Sequence, residues 1–161
     1  MKTFLLYWNP HFSSYSPERF LDEFAFSPSR KVLREDDPDW DSSPNFFDWS
    51  IYEYEKAKEG DRFIFVRVGY EKPTGIIGMG YFTSDPFEDE DWSGQDRLTY
   101  YVDMEWESIV DPTSDAVLPT EVLQREIPEV CWTKGLSGVE VSPEVAQRIE
   151  ELWKAHLDSL Q

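Results

Sequence analysis

The hydrophobic positions of this chain fall into a few separated runs that predict strands. Residues 3–8 form an apolar and aromatic run that stops at an Asn-Pro pair, which indicates a buried first strand. Residues 62–68 are nearly continuous in Phe, Ile and Val, as is typical of a central strand. A Lys-Pro-Thr-Gly turn at 72–75 then leads into another hydrophobic run, 76–83. These two runs therefore predict a central hairpin.

A fourth run, residues 100–110, alternates between apolar and charged positions through its centre. This period of two predicts a half-buried strand with an acidic outer face rather than a pair of catalytic acids. Its two faces carry Val102, Met104 and Trp106 on one side and Asp103, Glu105 and Glu107 on the other.

Three segments carry helix signals. Pro17 can start a helix near 17–25, and a Leu-Pro-Thr sequence begins a short helix that ends near Glu126. Ser142 is a good N-cap for a last helix, 143–158, whose apolar stripe predicts docking on the sheet. Residues 27–45 are rich in Ser, Pro and Asp and are expected to form an irregular loop.

The chain has no internal repeats, and we expect a single domain over residues 1–161 in the α+β class. Gly78 and Gly80 lie on one face of the strand 76–83, so something must pack directly on bare backbone there. A helix, the curvature of a barrel or a ligand would each explain that spacing.

The net charge is −18, and such a field repels phosphate backbones. A free-standing duplex binder would normally be basic. Several basic side chains cluster between residues 56 and 72, either as solvated strand and turn ends or as a local landing patch for nucleic acid. That cluster consists of Lys56, Lys58, Arg62, Arg67 and Lys72.

Candidate catalytic groups are few. His11 and His156 are the only histidines and Cys131 is the only thiol, and no local motif joins them into a nucleophile pair. The glycines at 75, 78 and 80 lack the spacing of a phosphate-binding loop. We therefore expect no enzyme activity, no cofactor and no metal site, in a protein of the cytoplasm that does not enter the membrane.

Four tryptophans each lie where a strand ends or a loop begins, beside a small polar residue. Indole rings in such places offer stacking surfaces for a nucleobase, and the neighbouring groups can read its edge. The same rings could instead plug the ends of the fold. The four pairs are Trp8 with Asn9, Trp49 with Ser50, Trp92 with Ser93, and Trp132 with Thr133.

The order of short motifs along the whole chain resembles the EVE-type domains of the PUA-like superfamily, which are related to YTH domains. The version found in bacterial modification-dependent HNH endonucleases is the most similar. Matching motifs are Trp8-Asn9-Pro10, Trp49-Ser50, Gly60-Asp61-Arg62, Gly75-Ile76-Ile77-Gly78, Thr83-Ser84-Asp85-Pro86, Trp92, Asp111-Pro112, Leu118-Pro119, Trp132-Thr133, Ser137-Gly138 and Leu152-Trp153.

This resemblance implies a PUA-like, EVE-type small mixed β-barrel flanked by helices, with an aromatic cage for a modified base such as methylated or hydroxymethylated cytosine. By analogy with YTH-type cages, Trp49 and Trp92 would form the walls, and Ser50 and Asn9 would contact the base edge. The remaining candidate ligand-binding residues are Trp8, Trp132 and Ser137.

Two departures shape the functional hypothesis: no HNH-type nuclease module accompanies the motifs, and relatives that hold DNA should be less acidic. The ligand is then a small nucleotide or base, or a basic partner such as a nuclease supplies the charge for nucleic acid. We expect a non-enzymatic reader of a modified nucleobase or nucleotide. The alternatives are an acidic protein-interaction module, such as a DNA mimic, and an enzyme acting on a small substrate.

Overall fold

The computed structural model describes residues 1–13, 15–24, 31–37, 46–90 and 98–160. Within these ranges the chain forms nine strands and three α-helices. In order they are β1 (Thr3–Trp8), α1 (Pro17–Phe24), β2 (Val32–Arg34), β3 (Phe46–Ser50), β4 (Arg62–Arg67), β5 (Gly75–Phe82), β6 (Phe87–Glu90), β7 (Leu98–Val110), β8 (Leu118–Pro119), α2 (Thr120–Glu126), β9 (Val139–Val141) and α3 (Pro143–Ser159).

The strands belong to one mixed sheet whose main path is β2-β7-β5-β4-β1-β9. Only the pair β1–β4 is parallel among the described strands; the other ladders are antiparallel. The thirteen-residue strand β7 organises one side of the sheet because it pairs with β2, β3, β5 and β6 at different positions along its length.

The sheet closes on itself through a short segment rather than through a continuous ladder. After β3, the backbone N–H groups of Tyr52 and Glu53 donate to the carbonyls of Ser137 and Gly138, at 2.8 and 3.0 Å. The N–H of Gly138 in turn donates to the carbonyl of Leu5 in β1, at 2.7 Å. These bonds join β3 to β1 and give the sheet the closed shape of a small barrel.

The closed sheet is filled largely by aromatic side chains around Trp106 of β7, which is 1% exposed. The Phe47 ring stacks on this indole at 4.8 Å, and Phe63 lies edge-on to it at 5.2 Å. A Cβ atom added to Gly78 would lie 2.5 Å from Trp106 Cζ3. The close approach at this glycine is therefore made by the protein's own core and not by a ligand.

Helices cover the sheet at two places. In α1, the buried rings of Phe20 and Phe24 contact Trp106 at 5.9 and 5.8 Å. Helix α3 begins at the N-cap Ser142, whose hydroxyl accepts the N–H of Val145. Its buried stripe consists of Ala146, Ile149, Trp153 and Leu157.

The mixed sheet with flanking helices confirms the α+β class. The four predicted strands are confirmed as β1, β4, β5 and β7, with the acidic face of β7 turned outward as the alternation indicated. The loop predicted over 27–45 is wrong in one place, because residues 32–34 form β2. That segment is too short to show a pattern, and it is a strand because it pairs with the far end of β7. Residues 27–30 and 38–45 lie outside the described part of the chain.

Candidate functional site

A cavity of about 1090 Å³ lies between the carboxyl end of β1 and strand β3. This is the side of the barrel where the 137–138 segment, rather than strand pairing, connects the two strands. The lining comes from the end of β1, the loop that follows it, α1, β3 and β7. Its described aromatic members are Tyr7, Trp8, Phe12, Tyr15, Phe47, Trp49 and Tyr101.

Trp49 is the half-buried indole of this cavity. Its ring makes T-shaped contacts with Phe65 at 4.9 Å and with Tyr15 at 5.9 Å, so its orientation is set by the rings around it. Tyr15 is itself held in place, because its backbone carbonyl accepts the indole N–H of Trp8 at 2.8 Å. An indole fixed by other rings and still partly open can stack on a flat ligand with little loss of conformational entropy.

Ser50 presents its backbone to the free edge of β3. The N–H of Ile51 donates to the carbonyl of Tyr100 at 2.9 Å, which makes these two residues a hydrogen-bonded pair. Because such pairs alternate along an antiparallel ladder, the N–H and C=O of Ser50 point away from β7. No described strand pairs with that edge. Ser50 therefore offers one donor and one acceptor beside Trp49.

Asn9 has an oriented side-chain amide. Its Oδ1 accepts the backbone N–H of His11 at 3.0 Å, in a local turn directly after β1. The amide also packs over Gly69, where an added Cβ would lie 2.7 Å from Oδ1. With the oxygen used, the Nδ2 group is left as a donor, and it has no partner among the described residues.

Ser137 lies at the floor where the barrel closes. Its hydroxyl accepts the N–H of Tyr7 at 3.1 Å, and its carbonyl accepts the N–H of Tyr52. The Tyr7 hydroxyl donates to the carbonyl of Cys131 at 2.8 Å. Burial, followed by the nearby Cys131, raises the pKa of Tyr7 to about 12. This phenol therefore stays protonated and acts as a fixed part of the wall.

The charges of the cavity are mostly negative. Arg19 of α1 pairs with Glu23 at 2.9 Å and lies 4.8 Å from the centre of the Tyr15 ring. The Tyr15 hydroxyl donates to the same Glu23 at 2.5 Å, and burial together with this bond raises the pKa of Tyr15. The charge of Arg19 is therefore already opposed by that of Glu23.

Two further carboxylates line the cavity on the outer side of β3. Asp48 and Asp103 are directly opposite each other in the β3–β7 ladder, and both are exposed. The pKa of Asp48 is raised by partial burial first and then by Asp103 and Asp89. Neither Asp48 nor Asp103 forms an ion pair with any described residue. Neighbouring side chains of β3 point to opposite sides of the sheet. The cavity therefore extends around the edge of β3, from Trp49 on one side to these carboxylates on the other.

Of the seven residues that the sequence singled out, five line this one cavity: Trp8, Asn9, Trp49, Ser50 and Ser137. Trp8 contributes a fully buried ring. Trp132 does not line the cavity: it is 1% exposed and its indole N–H donates to the carbonyl of Ile127 at 2.9 Å. Trp92 lies outside the described residues.

Sequence reasoning missed Tyr15, Phe47, Asp48 and Asp103 as lining residues. The alternation of Phe47, Asp48, Trp49 and Ser50 was a readable signal for a strand with one aromatic and one polar face. Asp103 was assigned to a solvated face, and it does lie there. Its place beside the cavity depends on the pairing of β3 with β7, which no local pattern reveals.

Most of the basic cluster between residues 56 and 72 is engaged with carboxylates or buried. Arg62 pairs with Glu107 at 2.8 Å and Glu150 at 3.1 Å, and Arg67 is 3% exposed. Two of the lysines pair with Glu53 and Glu121. These contacts favour solvated strand and turn ends over a landing patch, because the two arginines are held within the fold and two of the lysines pair with carboxylates at the surface.

Groups that could support other functions are scattered. Cys131 is exposed. The Nε2 atom of His156 lies 2.6 Å from the carbonyl oxygen of Ala116. The described residues contain no group of three His, Cys, Asp or Glu side chains placed to hold a metal ion. None of the helices described here is long and apolar enough to cross a membrane.

No protein-family model matches the chain, and no curated protein matches its sequence. Solved structures do match it along its length. A hypothetical protein from Leishmania major is 15% identical with a TM-score of 0.64, covering 98% of this chain and 97% of that one. A protein from Pseudomonas syringae is 16% identical with a TM-score of 0.58, and the match covers 94% of this chain and 99% of that one. The MmI1 YTH domain is 12% identical with a TM-score of 0.53, covering 99% of each chain.

The match to a YTH domain over the full chain decides the fold. The chain has a PUA-like fold. At these identities the likeness extends to the fold alone, so the assignment of a function depends on the cavity.

Proposed function

We propose that the protein is a non-enzymatic reader that binds one modified nucleobase, as a nucleoside, a nucleotide or a unit of a single strand, in the cavity between β1 and β3. The observation that carries the proposal is the combination of Trp49 with Ser50 and Asn9. A half-open indole, an unpaired backbone edge and an oriented amide donor line the same space.

Each of these groups has a separate role in recognition. The indole supplies stacking, which contributes about 1–3 kcal/mol per base. The backbone of Ser50 and the Nδ2 of Asn9 supply one acceptor and two kinds of donor for the polar edge of the base. A volume of about 1090 Å³ accommodates a nucleoside and its substituent. Among these residues there is no nucleophile with an adjacent base, which favours binding over catalysis.

We further propose that the protein is an EVE-type member of the PUA-like superfamily forming one domain over residues 1–161. The ordered motifs support this assignment, and Trp8-Asn9 and Trp49-Ser50 are the motifs that line the cavity. In this proposal Trp92 forms a second wall of the cage. Trp132 is omitted, because its ring and its N–H are already used inside the core.

The test is calorimetric titration of the protein with nucleosides and short single strands, each in a modified and an unmodified form. We expect one modified base to bind and its unmodified parent to bind more weakly. Trp49→Ala should weaken that binding by about 5- to 150-fold, which corresponds to the loss of one stacking contact.

Tyr52→Ala is the matched control, since Tyr52 is an exposed aromatic residue, 62% exposed, that does not line the cavity. It should leave the affinity unchanged. Thermal unfolding of each variant separates lost binding from lost structure. If no nucleoside or single strand binds the folded protein, or if Trp49→Ala binds like the unchanged protein, the proposal is refuted.

A further inference from the structure

The sign of the charge in the cavity bears on which modified bases fit it. Trp49 faces a space whose single lining cation, among the described residues, is already paired with Glu23. Asp48 and Asp103 add two carboxylates, neither of which forms an ion pair with a described residue. A ligand that enters this space therefore meets an aromatic face and a net negative field.

Aromatic rings and carboxylates together favour a cation over a neutral molecule of the same shape. A cation over an indole face is attracted by the ring quadrupole, and the attraction grows when the site is partly desolvated. The cavity already contains one such contact, because the Arg19 guanidinium lies 4.8 Å from the centre of the Tyr15 ring. Phosphate groups gain little here, since the one cation of the described lining, Arg19, is already paired with Glu23.

When no ligand is bound, the opposed pair of aspartates also lowers the stability of the protein. Like charges directly opposite each other in an antiparallel ladder repel. The pKa of Asp48 is raised by partial burial and by Asp103 and Asp89, while a backbone hydrogen bond and Arg19 of α1 act in the other direction. A cation bound nearby would relieve this repulsion.

We propose that the cavity selects cationic nucleosides, in which a methyl group on a ring nitrogen gives the base a positive charge at neutral pH. The inference rests on the proposed function and specifies its substrate class. Modified bases that stay neutral, such as those methylated on carbon or on the exocyclic amine, belong to the same site but bind more weakly. Stacking on Trp49 provides the common affinity, and Asp48 with Asp103 provides the preference.

Isomeric nucleosides give a direct test because they differ in charge but not in composition. The protein is titrated with 1-methyladenosine against N6-methyladenosine, and with 3-methylcytidine against 5-methylcytidine. We expect the cationic isomer of at least one pair to bind about 10-fold more tightly or better at low salt. That ratio should shrink as salt rises, since exposed carboxylates are screened.

Asp48→Asn and Asp103→Asn should each reduce the ratio of the two affinities, and the double variant should bring that ratio close to one. Glu144→Gln is the matched control, because it removes an exposed carboxylate at the start of α3, away from the cavity. It should leave the ratio unchanged.

The two proposals fail in different ways. If neutral isomers bind as tightly as cationic ones, or if the preference survives in the double variant, the charge inference is wrong and the reader function stands. If no isomer of either pair and no other modified base binds, the reader function itself is wrong, and the charge inference falls with it.

Discussion

The opposed aspartates of β3 and β7 allow one prediction to be worked out from the structure. Replacing Asp48 with Asn keeps the size and the polarity of the side chain and removes one of two facing charges. Partial burial also disfavours the ionised form of Asp48, in addition to Asp103 and Asp89. We therefore expect Asp48→Asn to stabilise the protein at neutral pH.

The expected gain is modest. Like charges facing each other across a ladder cost roughly 0.2–1 kcal/mol, and the exposure of both side chains places this pair in the lower half of that range. About 0.5 kcal/mol corresponds to a rise in Tm of about 1–2 °C in a protein of this size. Differential scanning calorimetry of the two proteins in parallel resolves such a shift.

The dependence on pH gives the sign of the effect. The pKa of Asp48 is raised in the folded protein, so folding favours its protonated form. The stability that this protonated group contributes is present at low pH and is lost as the pH rises through the folded pKa. The variant has no such loss. The two Tm values should therefore coincide below about pH 4 and separate toward neutrality.

Asp115→Asn is the control of opposite sign. Lys31 donates to the carboxylate of Asp115 at 2.8 Å, and this bond lowers the pKa of Asp115. Its ionised form is favoured by folding, so removal of the charge should lower Tm at neutral pH. An Asp48→Asn protein that is less stable than the original at neutral pH, or a Tm difference that does not change with pH, would show that the facing carboxylates are not in repulsion.

Three further substitutions test the site and the core. Asn9→Asp keeps the oxygen that accepts the backbone N–H and replaces the free donor with an acceptor. Calorimetry should therefore show about 10-fold weaker binding of a neutral ligand, at unchanged Tm. An unchanged affinity would show that Asn9 does not contact the ligand. Gly78→Ala places a Cβ 2.5 Å from Trp106. Urea unfolding should show that the free energy of unfolding falls by about 1–3 kcal/mol. An unchanged free energy of unfolding would mean that the indole can move to make room. Ser108→Ala removes the acceptor of the buried Trp153 indole N–H and should cost about 1–3 kcal/mol in the same assay; a loss near zero would indicate another partner.

The long elements of this fold could be predicted because each has a strong local pattern. The centre of β7 shows a period of two, β4 is apolar between its terminal arginines, and α3 has a capping serine with proline in the first turn. The short strands β2, β8 and β9 could not be predicted in this way. They have two or three residues each and exist because a neighbouring strand offers an unpaired edge.

The site could be predicted only in part, for a related reason. Trp49, Ser50 and Asn9 are visible as polar and aromatic residues at strand ends, and they do share one cavity. Trp132 has the same local pattern but is buried away from the cavity, and its indole N–H donates to the carbonyl of Ile127. Whether a tryptophan at a strand end is open or closed is decided by its tertiary partners. Asp103 joins the cavity solely through the register of β3 against β7.

The net charge of −18 is reconciled with base recognition when its distribution is considered. Arg62 and Arg67 are engaged within the fold, and 33 acidic residues outnumber the 15 basic ones, so the net field opposes a phosphate backbone. Strand β6 adds exposed carboxylates from Glu88 to Glu90 near the same end of β7 that pairs with β3. A reader built this way gains its affinity from the base and not from the strand, and its binding should weaken only slightly with salt when the base is neutral. An acidic mimic of DNA would behave in the opposite way, because it would bind a basic nuclease with an affinity that falls steeply with salt and with added duplex.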